Sequence, residues 1–169
     1  MSILIFEDAG VPLLAPITTA RPAFCITVGS YRLLDIVSQT GQPAVAHVRQ
    51  YLRTLCELDC PGLRLIGDES LTNNPSPQIV LNARVRPSVA TLNTLQTLLA
   101  DTNSQAGVVW DNDQIAAIVR PDWTWKQIQA AQETSFDSLL QSATEMPRLD
   151  VQLNLMTYPH DVVAANMET

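Results

Sequence analysis

The sequence predicts an α/β domain whose central sheet is mostly parallel. Two apolar runs carry most of that reading. "SILIF" (2–6) and "QIVLN" (78–82) are short, almost uninterrupted and bounded by polar residues, the pattern of strands buried on both faces. Through the first half of the chain such runs alternate with segments of helical period, the chain order of a parallel sheet with helices packed on it. The 169 residues suffice for one sizeable domain and are too few for two ordinary ones.

The elements follow in order. "SILIF" ends at Glu7 and Asp8. Pro12, Pro16 and Pro22 predict an ordered but irregular loop over 9–23. Residues 24–28 read as a short extended piece that Gly29 breaks, with Ser30 capping a helix to about Gln39. A second helix is expected from Pro43, because Val45, Val48, Leu52, Leu55 and Cys56 fall at helical spacing and proline suits a first turn. "LRLIG" (63–67) reads as a strand and "SLTNNPSP" (70–77) as a polar loop rich in turn formers. Ser88, after Pro87, opens a third helix with Val89, Leu92, Leu95, Leu98 and Leu99 on one stripe.

"AGVVW" and "QIAAIV" flank "DND" (111–113), which reads as a β-hairpin with a three-residue turn. Thr124 and Gln127 fit a capping box, with helical segments to about Ala143. "RLDVQLNL" (148–155) is expected as a last strand, and "YPHDVVAANMET" as the start of a helix. No glycine or proline stops that helix. The expected division is therefore a domain over 1–157 and, over 158–169, the start of a linker helix leading into a further C-terminal domain.

The charge balance removes some classes of function. A formal net charge of −7 and a pI of about 4.6 disfavour nucleic acid and anionic membrane surfaces, both of which call for a basic face. A phosphorylated small molecule stays open, because a few local arginines can hold one. The odd count of three cysteines, Cys25, Cys56 and Cys60, points to reduced thiols and a cytoplasmic setting. Cys56 and Cys60 alone are half of a zinc site, and no second pair accompanies them. No apolar run approaches the length that spans a bilayer.

Several motifs, taken together, resemble one family. "PITTARP" (16–22), Gly29 and the helix "YRLLDIV" are similar to the front end of sugar-phosphate nucleotidyltransferases, which carry a P-L-T segment, a proline beside a lysine, and a G-K-P helix start. A divergent GlcNAc-1-phosphate-uridyltransferase-like branch matches better. It has an I-F-E-D strand end, an R-P in the loop, an R-x-Y-L helix, an L-N-(G/A)-R strand end and a Y-P-W-D-(L/V)-V-x-x-N segment. This chain has "IFED" (5–8), "RP" (21–22), "RQYL" (49–52), "LNAR" (81–84) and "YPHDVVAAN" (158–166), with His160 in the tryptophan position. The resemblance implies a Rossmann-like nucleotide-diphospho-sugar transferase fold. It also implies attack of a sugar-1-phosphate on the α-phosphorus of a nucleoside triphosphate, UDP-GlcNAc being one product, with Mg²⁺ as cofactor and oligomerisation through a C-terminal domain outside this chain.

The departures matter for chemistry. The phosphate-cradling loop, glycine-rich in the family, reads "EDAGVPLL" with Gly10 alone. Leu13 stands for the loop arginine, Ala23 for the lysine after proline, and Arg84 for the metal-binding aspartate. By position the resemblance assigns catalysis to Arg21 and Arg84. It assigns substrate binding to Glu7, Asp8, Gly29, Arg49 and Asn82, and a metal contact to Asp8. Arginines near the carboxyl ends of strands can neutralise phosphate bidentately, and Arg21 and Arg84 are expected to reach one crevice.

Plainer roles stand beside these. Arg49 could pair with a surface carboxylate, and Arg84 with Glu7 or Asp8. Asp111 and Asp113 would make the hairpin turn, and Asp161 would be a first-turn acid. His47, His160, Trp110, Trp123 and Trp125 would pack. Two functions follow: a sugar-1-phosphate nucleotidyltransferase, or a catalytically impaired nucleotide-sugar-like binding or scaffold domain of a larger protein.

Overall fold

The structure, a computed structural model, describes residues 2–68, 71, 76–100, 105–134 and 136–167. Most of the loop expected over 70–77 lies outside the described residues, as do 168–169 of the last helix. The strands are β1 (Ile3–Phe6), β2 (Thr27–Val28), β3 (Tyr31–Arg32), β4 (Ala44–His47), β5 (Arg64–Leu65), β6 (Ile79–Asn82), β7 (Gly107–Asp111) and β8 (Gln114–Val119). The helices are α1 (Leu33–Gln39), α2 (Arg53–Asp59), α3 (Val89–Ala100), α4 (Trp125–Thr134), α5 (Phe136–Ala143) and α6 (Pro159–Met167).

The main sheet has the order β5-β4-β1-β6-β8-β7. β1 pairs in parallel with β4 on one side and β6 on the other, and β4 pairs in parallel with β5. The β7–β8 hairpin joins through β8, antiparallel to β6. The two apolar runs of the sequence are thus the neighbouring inner strands β1 and β6, every residue of both buried. Alternation along the strands feeds two cores. Leu4, Val45, Val80 and Ile118 meet Trp125 and Ile128 of α4 and Phe136 of α5 on one face. Ile3, Ile5, Ile79 and Leu81 meet Leu33 and Ile36 of α1 and Leu95 of α3 on the other. α6 joins that second core through Val162 and Ala165.

Four local expectations are corrected. The segment from Pro43 is not helical at its start: residues 44–47 are β4, followed by a 3-10 turn at Gln50–Leu52 and then α2. Inner strand β1 needs a hydrogen-bonding partner along each edge, and that need overrides the helical spacing of Val45 and Val48. Ser30 caps no helix. Gly29, at φ 58°, turns β2 back on β3, and α1 starts only at Leu33. There the Asp35 carboxylate accepts the Arg32 backbone N–H at 2.9 Å and pairs with the Arg32 guanidinium.

The β7–β8 turn has two residues, since Asp111 pairs with Gln114 and Asn112 takes φ 53°, as a tight hairpin requires. Residues 148–155 form no strand but a strap. Leu149 N–H donates to Val108 O at 2.8 Å, and Arg86 N–H to Asn154 O at 2.8 Å, so the segment divides its bonds between two separate strands' neighbourhoods. Other readings hold. Ser88 Oγ accepts the Thr91 N–H at the head of α3, Thr124 and Gln127 cap α4 reciprocally, and α5 ends at Ala143.

Candidate active site

The chain leaves β1, builds β4 and β5 outward on one side, and returns to place β6 on the other side of β1. The carboxyl ends of β1 and β6 therefore flank the point where strand order reverses, and the two connecting loops diverge there to leave a crevice. Glu7 and Asp8 follow β1 directly; Asn82 ends β6, and Arg84 lies two residues beyond.

Asp8 and Arg84 meet across that point. The Arg84 guanidinium, 1% exposed, donates from Nε to Asp8 Oδ1 at 2.8 Å and from Nη2 to Asp8 Oδ2 at 2.6 Å. Its other donors reach Met156 O at 3.1 Å and Gln114 Oε1. Asp8 also accepts the Gly10 N–H at 3.1 Å and the Asn82 side-chain amide at 2.8 Å. Burial alone would raise the Asp8 carboxyl. The hydrogen bonds and charge of Arg84, helped by Asn82 and Gly10, outweigh it and hold the carboxyl below the ordinary 3.8. Gly10 has a steric role here, since a Cβ on it would lie 2.5 Å from Arg84 Cζ. The guanidinium rests against bare backbone.

Glu7 and Arg49 form a second pair. Glu7, its side chain 3% exposed, accepts the Arg49 Nε–H at 3.0 Å, the Arg49 backbone N–H at 3.1 Å and the Ala23 N–H at 2.9 Å. Arg49 Nη2 donates further to Thr18 O at 2.8 Å and Arg21 O at 3.0 Å, and Nη1 to Tyr51 Oη at 2.7 Å. This pair staples the proline-rich loop to the ends of β1 and β4. Arg49 lies between β4 and the following 3-10 turn rather than on a helix, and its partner is a buried carboxylate rather than a surface one.

Arg21 and Arg84 do not share a crevice, contrary to expectation. Arg84 borders a cleft of about 490 Å³ with Asp8, Gly10, Trp110, Asp113 and Asp137. Arg21, exposed, borders a different cleft of about 400 Å³ with Thr27, Arg32, Asp59 and the cysteines. The cause is the staple: Arg49 grips the Arg21 carbonyl on the β4 side of β1, whereas Arg84 is gripped on the β6 side. Gly29 is at the tip of the β2–β3 turn, where its N–H donates to Asn166 Oδ1 at 2.6 Å. It borders neither of these clefts.

His47 stacks on Phe136 at 4.8 Å, and burial pulls its pKa below the ordinary 6.5. His160 stacks on Tyr158. Trp123 and Trp125 are buried in the core with α4, while Trp110 is half-buried at the cleft. Asp111 accepts the Leu155 N–H at 2.7 Å, and Asp161 caps α6 by accepting the Thr157 and Tyr158 N–H groups.

The Arg84 cleft is acidic. Its one cation among the described residues is already paired, and Asp113 and Asp137 add two carboxylates. Asp8 does not fit a magnesium ligand, because Arg84, Asn82 and Gly10 fill its acceptor positions. Glu7 is saturated in the same way. Among the described residues no three His, Cys, Asp or Glu side chains converge as a metal cluster. No described helix is long and apolar enough to cross a membrane.

Sequence reasoning missed Gln114, Trp110, Asp137 and the Met156 carbonyl as neighbours of Arg84. All come from far along the chain. The lone glycine of the first loop was a usable signal for a close approach to Gly10.

A family model described as sugar nucleotidyl transferase matches residues 3–169. No curated protein matches the chain. Two solved structures similar to it are a protein from Bacillus anthracis assigned as a glucose-1-phosphate thymidylyltransferase, in complex with sucrose, and a 4-diphosphocytidyl-2C-methyl-D-erythritol synthase. The first shares 12% identity at a TM-score of 0.49, over 99% of this chain and 94% of that one. The second shares 12% identity at a TM-score of 0.45, over 99% of each.

Proposed function

Because this chain belongs to the sugar nucleotidyl transferase family, we propose that it joins a sugar-1-phosphate to a nucleoside triphosphate at the Arg84 cleft, slowly, with UDP-GlcNAc as the favoured product. A phosphate oxygen of the sugar attacks the α-phosphorus, the bond to the β-phosphate oxygen breaks, and pyrophosphate leaves. The supporting observation is a guanidinium fixed by four hydrogen bonds to three residues at the strand-order reversal, where open α/β sheets bind ligands. Arg84 would meet charge developing on the phosphates, and Asp8 and Asn82 would hold it in place. Half-buried Trp110 offers a face for a sugar or base, and Asp113 and Asp137 accept from hydroxyls. Arg21 would act on the loop side, where the Glu7–Arg49 pair holds the loop in place. No step here runs through a metal.

Slow turnover follows from pairing. Arg84 and Arg49 already spend their charge on Asp8 and Glu7, so a phosphate gains little from them until a pair opens. The same observation favours the second reading, a nucleotide-sugar-like domain that binds or orients without turnover. Pyrophosphate release with UTP and GlcNAc-1-phosphate, read beside calorimetry with UDP-GlcNAc, separates the two. Slow release that needs both substrates supports the transferase. Binding without release from any triphosphate and sugar-phosphate pair supports the binding domain, and neither signal overturns both.

A further inference from the structure

All three cysteines of the chain border one cleft, beside Arg21, Thr27 and Arg32, although they lie on two elements far apart in sequence. Cys25 ends the 3-10 turn Ala23–Cys25 and is partly exposed. Cys60 is the residue that closes α2, and Cys56 lies one turn earlier on the same helix, fully buried. The Cys25 and Cys60 sulfurs are 3.7 Å apart, in contact but unbonded. A disulfide needs about 2.05 Å, a gap that small side-chain rotations can close when two sulfurs already touch.

We propose that Cys25 and Cys60 are a disulfide-forming pair that, on oxidation, ties the loop before β2 to the end of α2 and leaves Cys56 a thiol. The choice of partner rests on geometry. The Cys56 thiol also neighbours Cys60, but the two are four residues apart at the end of one helix, where Cα–Cβ bonds run nearly parallel and converge poorly on a disulfide. Cys25 approaches from another element, and its partial exposure on the cleft gives a small oxidant a path. The oxidant is a peroxide. A Cys25 thiolate attacks the peroxide oxygen, giving a sulfenic acid and, after proton uptake, water. The Cys60 sulfur then displaces a second water from that sulfenic acid, so two thiols and one hydrogen peroxide become one disulfide and two waters.

Burial and the neighbouring sulfurs push the Cys25 thiol well above its usual range, and burial pushes Cys56 up to about 12. Thiolate is scarce at neutral pH, so closure is slow and quickens in mild alkali. The consequence is mechanical. The turn that carries Cys25 also donates the Ala23 N–H to Glu7, so the cross-link would add a covalent tie beside the Glu7–Arg49 staple. The Arg21 cleft would lose its freedom to widen.

The test is peroxide treatment of the folded full chain, alkylation of remaining thiols in denaturant, and peptide mass spectrometry. The expected result is one cross-linked pair containing Cys25 and Cys60, with Cys56 alkylated. The oxidised chain should also melt several degrees higher than the reduced chain. Dithiothreitol should remove the difference. Cys56→Ser should keep the cross-link and Cys25→Ser should abolish it, with near-UV circular dichroism checking that each variant is folded. Three alkylated thiols after peroxide exposure at mildly alkaline pH, under conditions that oxidise an exposed control thiol, overturn the proposal. So does a cross-link between Cys56 and Cys60, or one that forms only in the denatured chain.

Discussion

Replacing Arg84 by methionine tests whether the centre of the crevice is first a structural pair. The side chain is 1% exposed and makes two bonds to Asp8, one to Met156 O and one to Gln114. Methionine fills much of the same volume and removes the charge. Asp8 then keeps the Gly10 N–H and the Asn82 amide but loses its counter-charge. Breaking a buried pair from one side costs about 3–5 kcal/mol. The two surviving bonds place this case near the lower end, about 3 kcal/mol. In a domain of this size each kcal/mol moves Tm by about 2–4 °C, so a fall of roughly 6–12 °C is expected.

The pH dependence adds a second readout. In the wild type Asp8 is held below 3.8, so its stabilising contribution is full above that value and is lost as pH falls through the folded pKa. In Arg84→Met only burial and two neutral donors act on it, and burial raises the carboxyl, so acid protonates it more readily in the folded state. The stability gap between the two proteins should therefore shrink as pH falls from 7 toward 4. Asp8→Asn in the Arg84→Met background should recover part of the loss, because no unpaired charge remains buried. Urea unfolding at several pH values measures all of this. A gap under about 0.5 kcal/mol at pH 7, or one that widens in acid, would refute the reasoning.

Three shorter predictions follow. Gly10→Ala should cost about 1–3 kcal/mol by thermal unfolding, since its Cβ would sit 2.5 Å from Arg84 Cζ, and should cost less in the Arg84→Met background. Glu7→Gln should loosen the staple. Hydrogen exchange at the Ala23 and Arg49 amides, both bonded to Glu7, should quicken by about tenfold, with unchanged rates arguing that the loop holds itself. Adding EDTA should leave Tm within about 1 °C, because the acceptor positions of Asp8 and Glu7 are already filled and no three ligands converge among the described residues; a larger fall would reveal a metal bound to the native state.

The sequence alone determined the elements whose signal is local. Buried runs 2–6 and 78–82 had to become inner strands, because nothing else satisfies two apolar faces in so few residues. The caps at Ser88 and Thr124 and the hairpin around Asn112 were legible because each is a contract among residues three or fewer apart. The approximate site was legible too, as loop ends after strands. Tertiary structure decided the rest. Residues 44–47 became a strand because β1 offered an edge, which no window around Pro43 contains. A pair between Arg84 and Glu7 or Asp8 was legible from the sequence; the fold chose Asp8, 76 residues away, and roofed the guanidinium with Met156, 72 residues away. Arg21 parted from Arg84 because the Glu7–Arg49 staple pinned its carbonyl to the other side of β1. Sequence fixes which charges exist; whether a charge is free to act depends on what the folded chain places beside it, since a buried guanidinium is held by whichever carboxylate arrives.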